Sequence, residues 1–99
     1  VNPDLPRDLQ DVADAFGSRL RVAVLHSLAK TGPATLSELS RRLDVQPSSL
    51  SDHVARLEQL GVLDVDPPRS EPGRLMRTFS IDHRRSAEIA ETVDKLLGR

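Results

Sequence analysis

Gln46, Ser48, Ser49, Ser51, Asp52, His53 and Arg56 crowd one short stretch of this chain with side chains able to hydrogen-bond an external partner. Amides and hydroxyls donate and accept, a guanidinium donates in a planar fork, and a carboxylate only accepts. Such a mixture suits the edges of nucleic-acid bases. It does not make a nucleophile with its base, because Ser51, Asp52 and His53 are neighbours on a helical stretch and point in different directions. A second group, Arg69, Arg74 and Arg77, lies in a later stretch rich in Pro, Gly and charge, with Glu71 among them. Arginines on a hairpin tip suit phosphates or the minor groove. Arg41 and Arg42 are weaker candidates of the same kind.

Two helices joined by a very short turn must position the first group. Thr35 opens a helix over 35–43, and Glu38, three residues on, completes a capping box; Leu36, Leu39 and Leu43 form its core face. Pro47 suits the first position of a helix over 47–60, with Gln46 or Ser48 beside it to help cap. Leu50, Val54, Leu57 and Leu60 recur at helical spacing, and Gly61 ends the run. Only Asp44, Val45 and Gln46 separate the helices, and so tight a turn makes them cross. On the second helix Ser48, Asp52, Ala55 and Gln59 then face away from the apolar stripe, with Ser49, Ser51 and Arg56 on its flanks. A reading helix contacts bases mainly from its N-terminal half, which selects Ser48, Ser49, Ser51 and Asp52. Asp52 has two roles open to it, accepting from cytosine N4 or pairing with Arg56 four residues on. His53 falls on the shoulder of the stripe, where packing is the commoner role, with a phosphate contact from its ring edge also open.

Around this pair the chain reads as helices over 5–16, 19–30 and 84–97 and a hairpin with strands near 62–66 and 75–81. Leu5, Leu9, Val12, Ala13 and Phe16 form the apolar face of the first helix; Leu20, Val24 or Ala23, and Leu28 that of the second. Ala87, Ile89, Ala90, Val93, Leu96 and Leu97 supply the last. The expected fold class is mainly α with a small β-hairpin, a winged helix-turn-helix forming a single domain over 1–99.

Length and composition narrow the function. A chain of 99 residues supports one core and little room for an elaborate catalytic cleft. Only two aromatics, Phe16 and Phe79, thicken that core, so burial against a second copy is favoured. The chain has no cysteine, which excludes disulfides, thiolate metal sites and thiol nucleophiles. There is neither a run of the roughly 20 apolar residues a membrane span needs nor a signal peptide, so the expectation is a cytoplasmic protein with no membrane partner. Net charge is −1, but residues 1–16 carry −3 (Arg7 against Asp4, Asp8, Asp11 and Asp14) while residues 17–85 carry eleven bases against eight acids. Twelve of the fourteen bases are arginine, a planar donor suited to phosphate and to guanine edges, although codon bias in a GC-rich genome produces the same excess.

The order of elements resembles the winged helix-turn-helix repressors of the ArsR type, over nearly the whole chain. Phe16 to Arg21 is similar to the family's opening phrase, Leu36 to Leu43 to its first helix of the pair, Val45 to Val54 to its reading helix, and Gly61-Val62-Leu63 to its junction with the wing. MarR-like regulators share the second half of the pattern. The departures concern metals. Family members that sense thiophilic metals carry cysteines where this chain has Leu39, Ser40, Arg41 and Arg42. The zinc pattern on the last helix needs spaced acids and histidines, whereas Asp82 and His83 are adjacent and no histidine follows. With only His26, His53 and His83, on three elements, no metal or other cofactor is expected.

The resemblance therefore implies a transcriptional regulator without metal sensing and without enzymatic activity. It would be a repressor binding double-stranded DNA as a homodimer through its first and last helices, on an inverted-repeat operator. Expected DNA contacts are Gln46, Ser48, Ser49, Ser51, Asp52, His53 and Arg56 on the reading helix and Arg69, Arg74 and Arg77 on the wing. The rival is a winged helix acting as a protein-interaction module, its reading helix acidified by Asp52.

Overall fold

The computed structural model describes residues 4–72 and 76–99. In chain order the elements are α1 (Arg7–Phe16), α2 (Arg19–Thr31), β1 (Ala34–Thr35), α3 (Leu36–Leu43), α4 (Pro47–Gln59), β2 (Leu63–Asp66), β3 (Thr78–Ile81) and α5 (His83–Leu96). The five helices among the described residues fall where apolar spacing and capping residues place them, within a residue or two. Ser18 caps α2 by accepting from the Arg21 amide, and Asp82 caps α5 by accepting from that of Arg85. Gln46 precedes α4 without a side-chain cap bond.

The sheet differs from the expected hairpin. Among the described residues it has three antiparallel strands in the order β1-β3-β2, with Ala34 opposite Phe79 and Val65 opposite Phe79 on the other side. Two residues are too few to show any alternation, which is why β1 leaves no periodic trace in the sequence. Thr35 ends this strand and caps α3 as well. Its hydroxyl accepts from the Glu38 amide at 3.2 Å, and the Glu38 carboxylate accepts from the Thr35 amide at 3.0 Å. The expected strand start at Leu75 lies outside the described residues; β3 begins at Thr78.

Leu39, Leu50, Leu57, Val24 and Val54 are the largest fully buried side chains, so the core is centred where α2, α3 and α4 meet. Val62, Leu63 and Phe79 extend it under the sheet, and Ile89 extends it toward α5. Removing a buried leucine here costs about 2–5 kcal/mol by lost transfer energy plus the cavity left behind. Asp44 makes the tight α3–α4 turn by entering the left-handed region at φ 53°, a conformation Asp tolerates better than most residues. The Val45 amide then donates to the Ser40 carbonyl at 3.1 Å, closing the turn.

The terminal helices depart from their expected burial. Of α1 only Ala15 is buried, whereas Leu5 and Phe16, expected on its inner face, are 43% and 46% exposed. Of α5 only Ile89 is buried, and Leu96 and Leu97 are 57% and 61% exposed. The apolar stripes exist, but within one chain each helix has neighbours along only part of its stripe.

The capping box yields a stability prediction. Thr35→Ala removes the acceptor for the Glu38 amide and should cost about 1 kcal/mol in urea denaturation. The Glu38 carboxyl is held below its usual range, first by the Thr35 backbone amide and then by the Thr35 side chain. Its contribution is therefore complete above the unfolded-state value and fades as pH falls through the lower folded-state one. The urea-midpoint difference between the parent and Glu38→Gln should narrow below about pH 4; a constant difference from pH 7 to 3 would refute this role of the carboxylate.

Candidate nucleic-acid interface

Leu50, Val54 and Leu57 anchor α4 in the core and fix which of its residues look outward. Gln46, Ser48, Ser49, Ser51 and Asp52 are all exposed, and all lie at the N-terminal end. The Ser51 hydroxyl donates weakly to the Ser48 carbonyl at 3.3 Å, the usual resting bond of a helical serine, which an external acceptor can displace. The positive end of the helix dipole adds to this end's fitness for a phosphate, although Pro47 has no amide to offer and that of Ser49 donates to the Gln46 carbonyl at 2.9 Å.

Further along α4 the side chains turn inward to the body. His53 is half-buried, and its Nδ1 accepts from Arg21 Nε of α2 at 3.2 Å. Arg56 donates to the Asp14 carboxylate of α1 and, at 3.3 Å, to Gln59 Oε1. Of the two roles open to Asp52, pairing with Arg56 is thus taken by a carboxylate from another helix. Arg21 also donates to the Asp14 backbone carbonyl, while Gln10 Nε2 donates to Asp14 Oδ1 at 3.0 Å. The Asp14 carboxyl consequently lies below its ordinary range, chiefly through the Arg56 bond and next through Gln10.

The wing arginines likewise make contacts within the fold. Arg69 grips Glu58 of α4, Nη2 to Oε1 at 3.0 Å and Nε to Oε2 at 3.2 Å, and its guanidinium lies 5.8 Å from the centre of the Phe79 ring. Arg77 Nη2 donates to the carbonyls of Glu71 at 3.0 Å and Pro68 at 3.4 Å, drawing the two sides of the hairpin together. Arg74 lies outside the described residues. Arg42 of α3 donates to Thr31 Oγ1 at 2.7 Å, and Arg41 is exposed. A crevice of about 330 Å³ runs between the start of α3, Ser51 and the wing base at Arg69, Arg77 and Phe79.

Sequence reading did not find Asp14, Arg21, Glu58 or Arg85 as partners of this surface. Arg85 of α5 donates to the Leu60 carbonyl at the end of α4 at 2.9 Å and pairs with Asp11 of α1 at 2.8 Å. These contacts span 11 to 74 residues of chain, and no local pattern announces them. Among the described residues no group of three or more His, Cys, Asp or Glu could hold a metal ion, and no helix is long and apolar enough to cross a membrane.

A helix pair of this geometry with a hairpin at its flank defines a winged helix-turn-helix protein. The model of the helix-turn-helix domain family matches residues 16–66. An uncharacterised HTH-type transcriptional regulator of Pyrococcus furiosus is 45% identical over 40 residues, a match covering 40% of this chain and 26% of that protein, so the likeness spans about a quarter of the relative. A crystallised ArsR family transcriptional regulator superposes with a TM-score of 0.72 at 27% identity, over 98% of this chain and 94% of the other. HlyU from Vibrio cholerae, at 22% identity, shares the fold with a TM-score of 0.63 over 93% and 94% of the two chains. The chain belongs to the helix-turn-helix domain family, and its winged form is similar to that of the ArsR family regulator.

The Arg69–Glu58 contact leads to a prediction about the wing. Arg69→Ala and Glu58→Ala should each cost roughly 0.5–1 kcal/mol, as expected for a well-aligned but partly exposed pair, and the double variant should cost no more than either single. Additive losses in urea denaturation would show that the pair is not a unit.

Proposed function

We propose that this protein is a sequence-specific, DNA-binding transcriptional repressor that works as a homodimer on an inverted-repeat operator. The exposed polar end of α4 carries the reading: Gln46, Ser48, Ser49, Ser51 and Asp52 stand on a helix whose opposite face is locked in the core. On DNA these residues face base edges in the major groove, with Asp52 accepting from cytosine N4, while Arg74 and Arg77 of the wing meet phosphates.

Dimerisation through the terminal helices is supported by the apolar surface those helices leave uncovered. Phe16, Leu96 and Leu97 are exposed, and a groove of about 630 Å³ lined by Phe16, Leu25, Ile89 and Val93 opens between α2 and α5. Isologous pairing of this face supplies the two-fold axis that an inverted repeat requires. Occlusion of a promoter by the bound dimer is then sufficient for repression.

The rival reading, a protein-interaction module, has one observation in its favour. Asp14 and Glu58 neutralise Arg56 and Arg69, and Asp52 is exposed, so the face of α4 is far less basic than its arginine count suggests. Selection from a random DNA pool separates the two. An enriched palindrome with half-sites about one helical turn apart supports the repressor, and no enrichment at any salt supports the module. On the selected site, Ser51→Ala or Asp52→Ala should narrow the gap between specific and nonspecific affinity by about 1–3 kcal/mol with little change in salt dependence. Arg77→Ala should weaken both and flatten the log–log salt plot by about one unit.

Sedimentation equilibrium at micromolar concentration should give the mass of two chains, and Phe16→Arg with Leu97→Glu should give that of one. A parent at the mass of one chain would refute the dimer. Chelator and excess zinc should leave DNA affinity unchanged; a saturable loss at one zinc per chain or fewer would reveal a metal site.

A further inference from the structure

We propose that Asp14, Arg21, His53 and Arg56 form a joint that sets the angle of the recognition helix relative to α1, so that Arg56 and His53 are positioning residues and not DNA contacts. The proposal rests on the dimer reading above, since α1 is one of the helices that would meet the partner copy.

The apolar hold on α1 is slight. It places a single residue, Ala15, in the buried core, with Val12 packed partly against it. Its neighbours in the fold are α5 and α2, yet its Asp14 reaches α4 directly through Arg56. Every polar group of Asp14 on that side is engaged: Oδ2 by Arg56, Oδ1 by Gln10, and the backbone carbonyl by Arg21. Arg21 bridges onward to His53, one turn before Arg56 on the same face of α4. Two residues of the recognition helix are thereby tied to one residue of α1, one by a direct ion pair and the other through α2. Contacts at two successive turns fix a helix against rotation and tilt, which one contact cannot do.

In a two-fold dimer the angle between α1 and α4 decides how far apart the two α4 helices stand. Half-sites read from one face of DNA must be one helical turn apart, about 34–36 Å. A change of a few degrees at the joint moves the reading ends away from that spacing without altering any base contact. The charge arithmetic agrees. A guanidinium already paired with a carboxylate adds no net attraction for phosphate.

Binding measurements on Asp14→Asn, Arg56→Gln, the double variant and the exchanged pair Asp14→Arg with Arg56→Asp test the joint. Each protein is titrated against the full selected operator and against nonspecific duplex over a range of salt. If Arg56 positions, both single variants weaken operator binding to a similar degree, about three- to fivefold for a partly exposed pair. The double variant is then no worse than a single one, the exchanged pair recovers part of the loss, and the salt slope on nonspecific duplex stays constant. The optimal spacer between half-sites should also broaden in the single variants, a readout that simple loss of stability would not move. The proposal is overturned if Arg56→Gln flattens the nonspecific salt slope by about one unit while Asp14→Asn tightens binding, for Arg56 would then be a phosphate contact that Asp14 masks. It is overturned too if the variants sediment as monomers where the parent is dimeric. A parent that is itself monomeric refutes the dimer reading and the spacing claim together, and the nonspecific salt slope still decides whether Arg56 touches phosphate.

Discussion

The burial of Leu50, Val54 and Leu57 is the constraint on which the rest of this structure depends. These three residues make α4 the centre of the core and at the same time aim its opposite face at solvent. A recognition helix held only by its ends could roll, and the residues it presents would change with every few degrees. Here rolling would pull apolar side chains out of close packing, at a cost on the order of 1.5–3 kcal/mol for each leucine or valine exposed. Specificity in this fold is therefore secured first by hydrophobic packing, and only afterwards by the polar residues that do the reading.

The arginines divide along the same line. A count of cations between residues 17 and 85 suggests a basic surface, but the fold spends several of them internally. Arg69 ties the wing to α4 through Glu58, Arg77 draws the hairpin together, Arg85 ties α5 to the end of α4, and Arg56 ties α4 to α1. In each case the planar fork does what a lysine ammonium would do less well, making two directed bonds to carboxylates or carbonyls. The wing keeps a defined position beside the recognition helix, although only four residue pairs join β2 and β3 in register.

What the sequence shows plainly is local. Thr35 with Glu38, Pro47 and the 3–4 spacing of leucines place the helix pair to within a residue, because caps and periodicity act over one or two turns. The wing strands are legible by alternation, but β1 is not, since its two residues owe their extended form to Phe79 and Thr78 across the sheet. The exposed end of α4 is likewise readable from one helical wheel. The partners of His53 and Arg56 are not, because 32 and 42 residues of chain separate them from Arg21 and Asp14, and any nearby acid, Asp52 included, is an equally good partner on a wheel. Local sequence thus reveals which side chains could touch DNA, and tertiary packing decides which of them are already occupied.

The acidic first helix illustrates the same limit from the other side. Asp8, Asp11 and Asp14 give α1 a charge that, in sequence, looks like repulsion from a nucleic-acid partner or a solvated face. In the fold two of the three meet arginines from α5 and α4, so the acidity of the helix is matched to the basicity of the elements it covers. Such pairs contribute little to stability at the surface, since Coulomb attraction there is offset by desolvation and by ordering of long side chains. Their directionality is worth more than their energy. An apolar contact can slide by a fraction of an ångström at small cost, whereas Asp11–Arg85 and Asp14–Arg56 each define a distance and a direction. The two pairs sit one turn apart on α1 and lead to different helices, so together they fix both the position of α1 along the molecule and its rotation about its own axis. A helix with one buried alanine requires that kind of restraint if the face it turns outward is to be the same in every molecule.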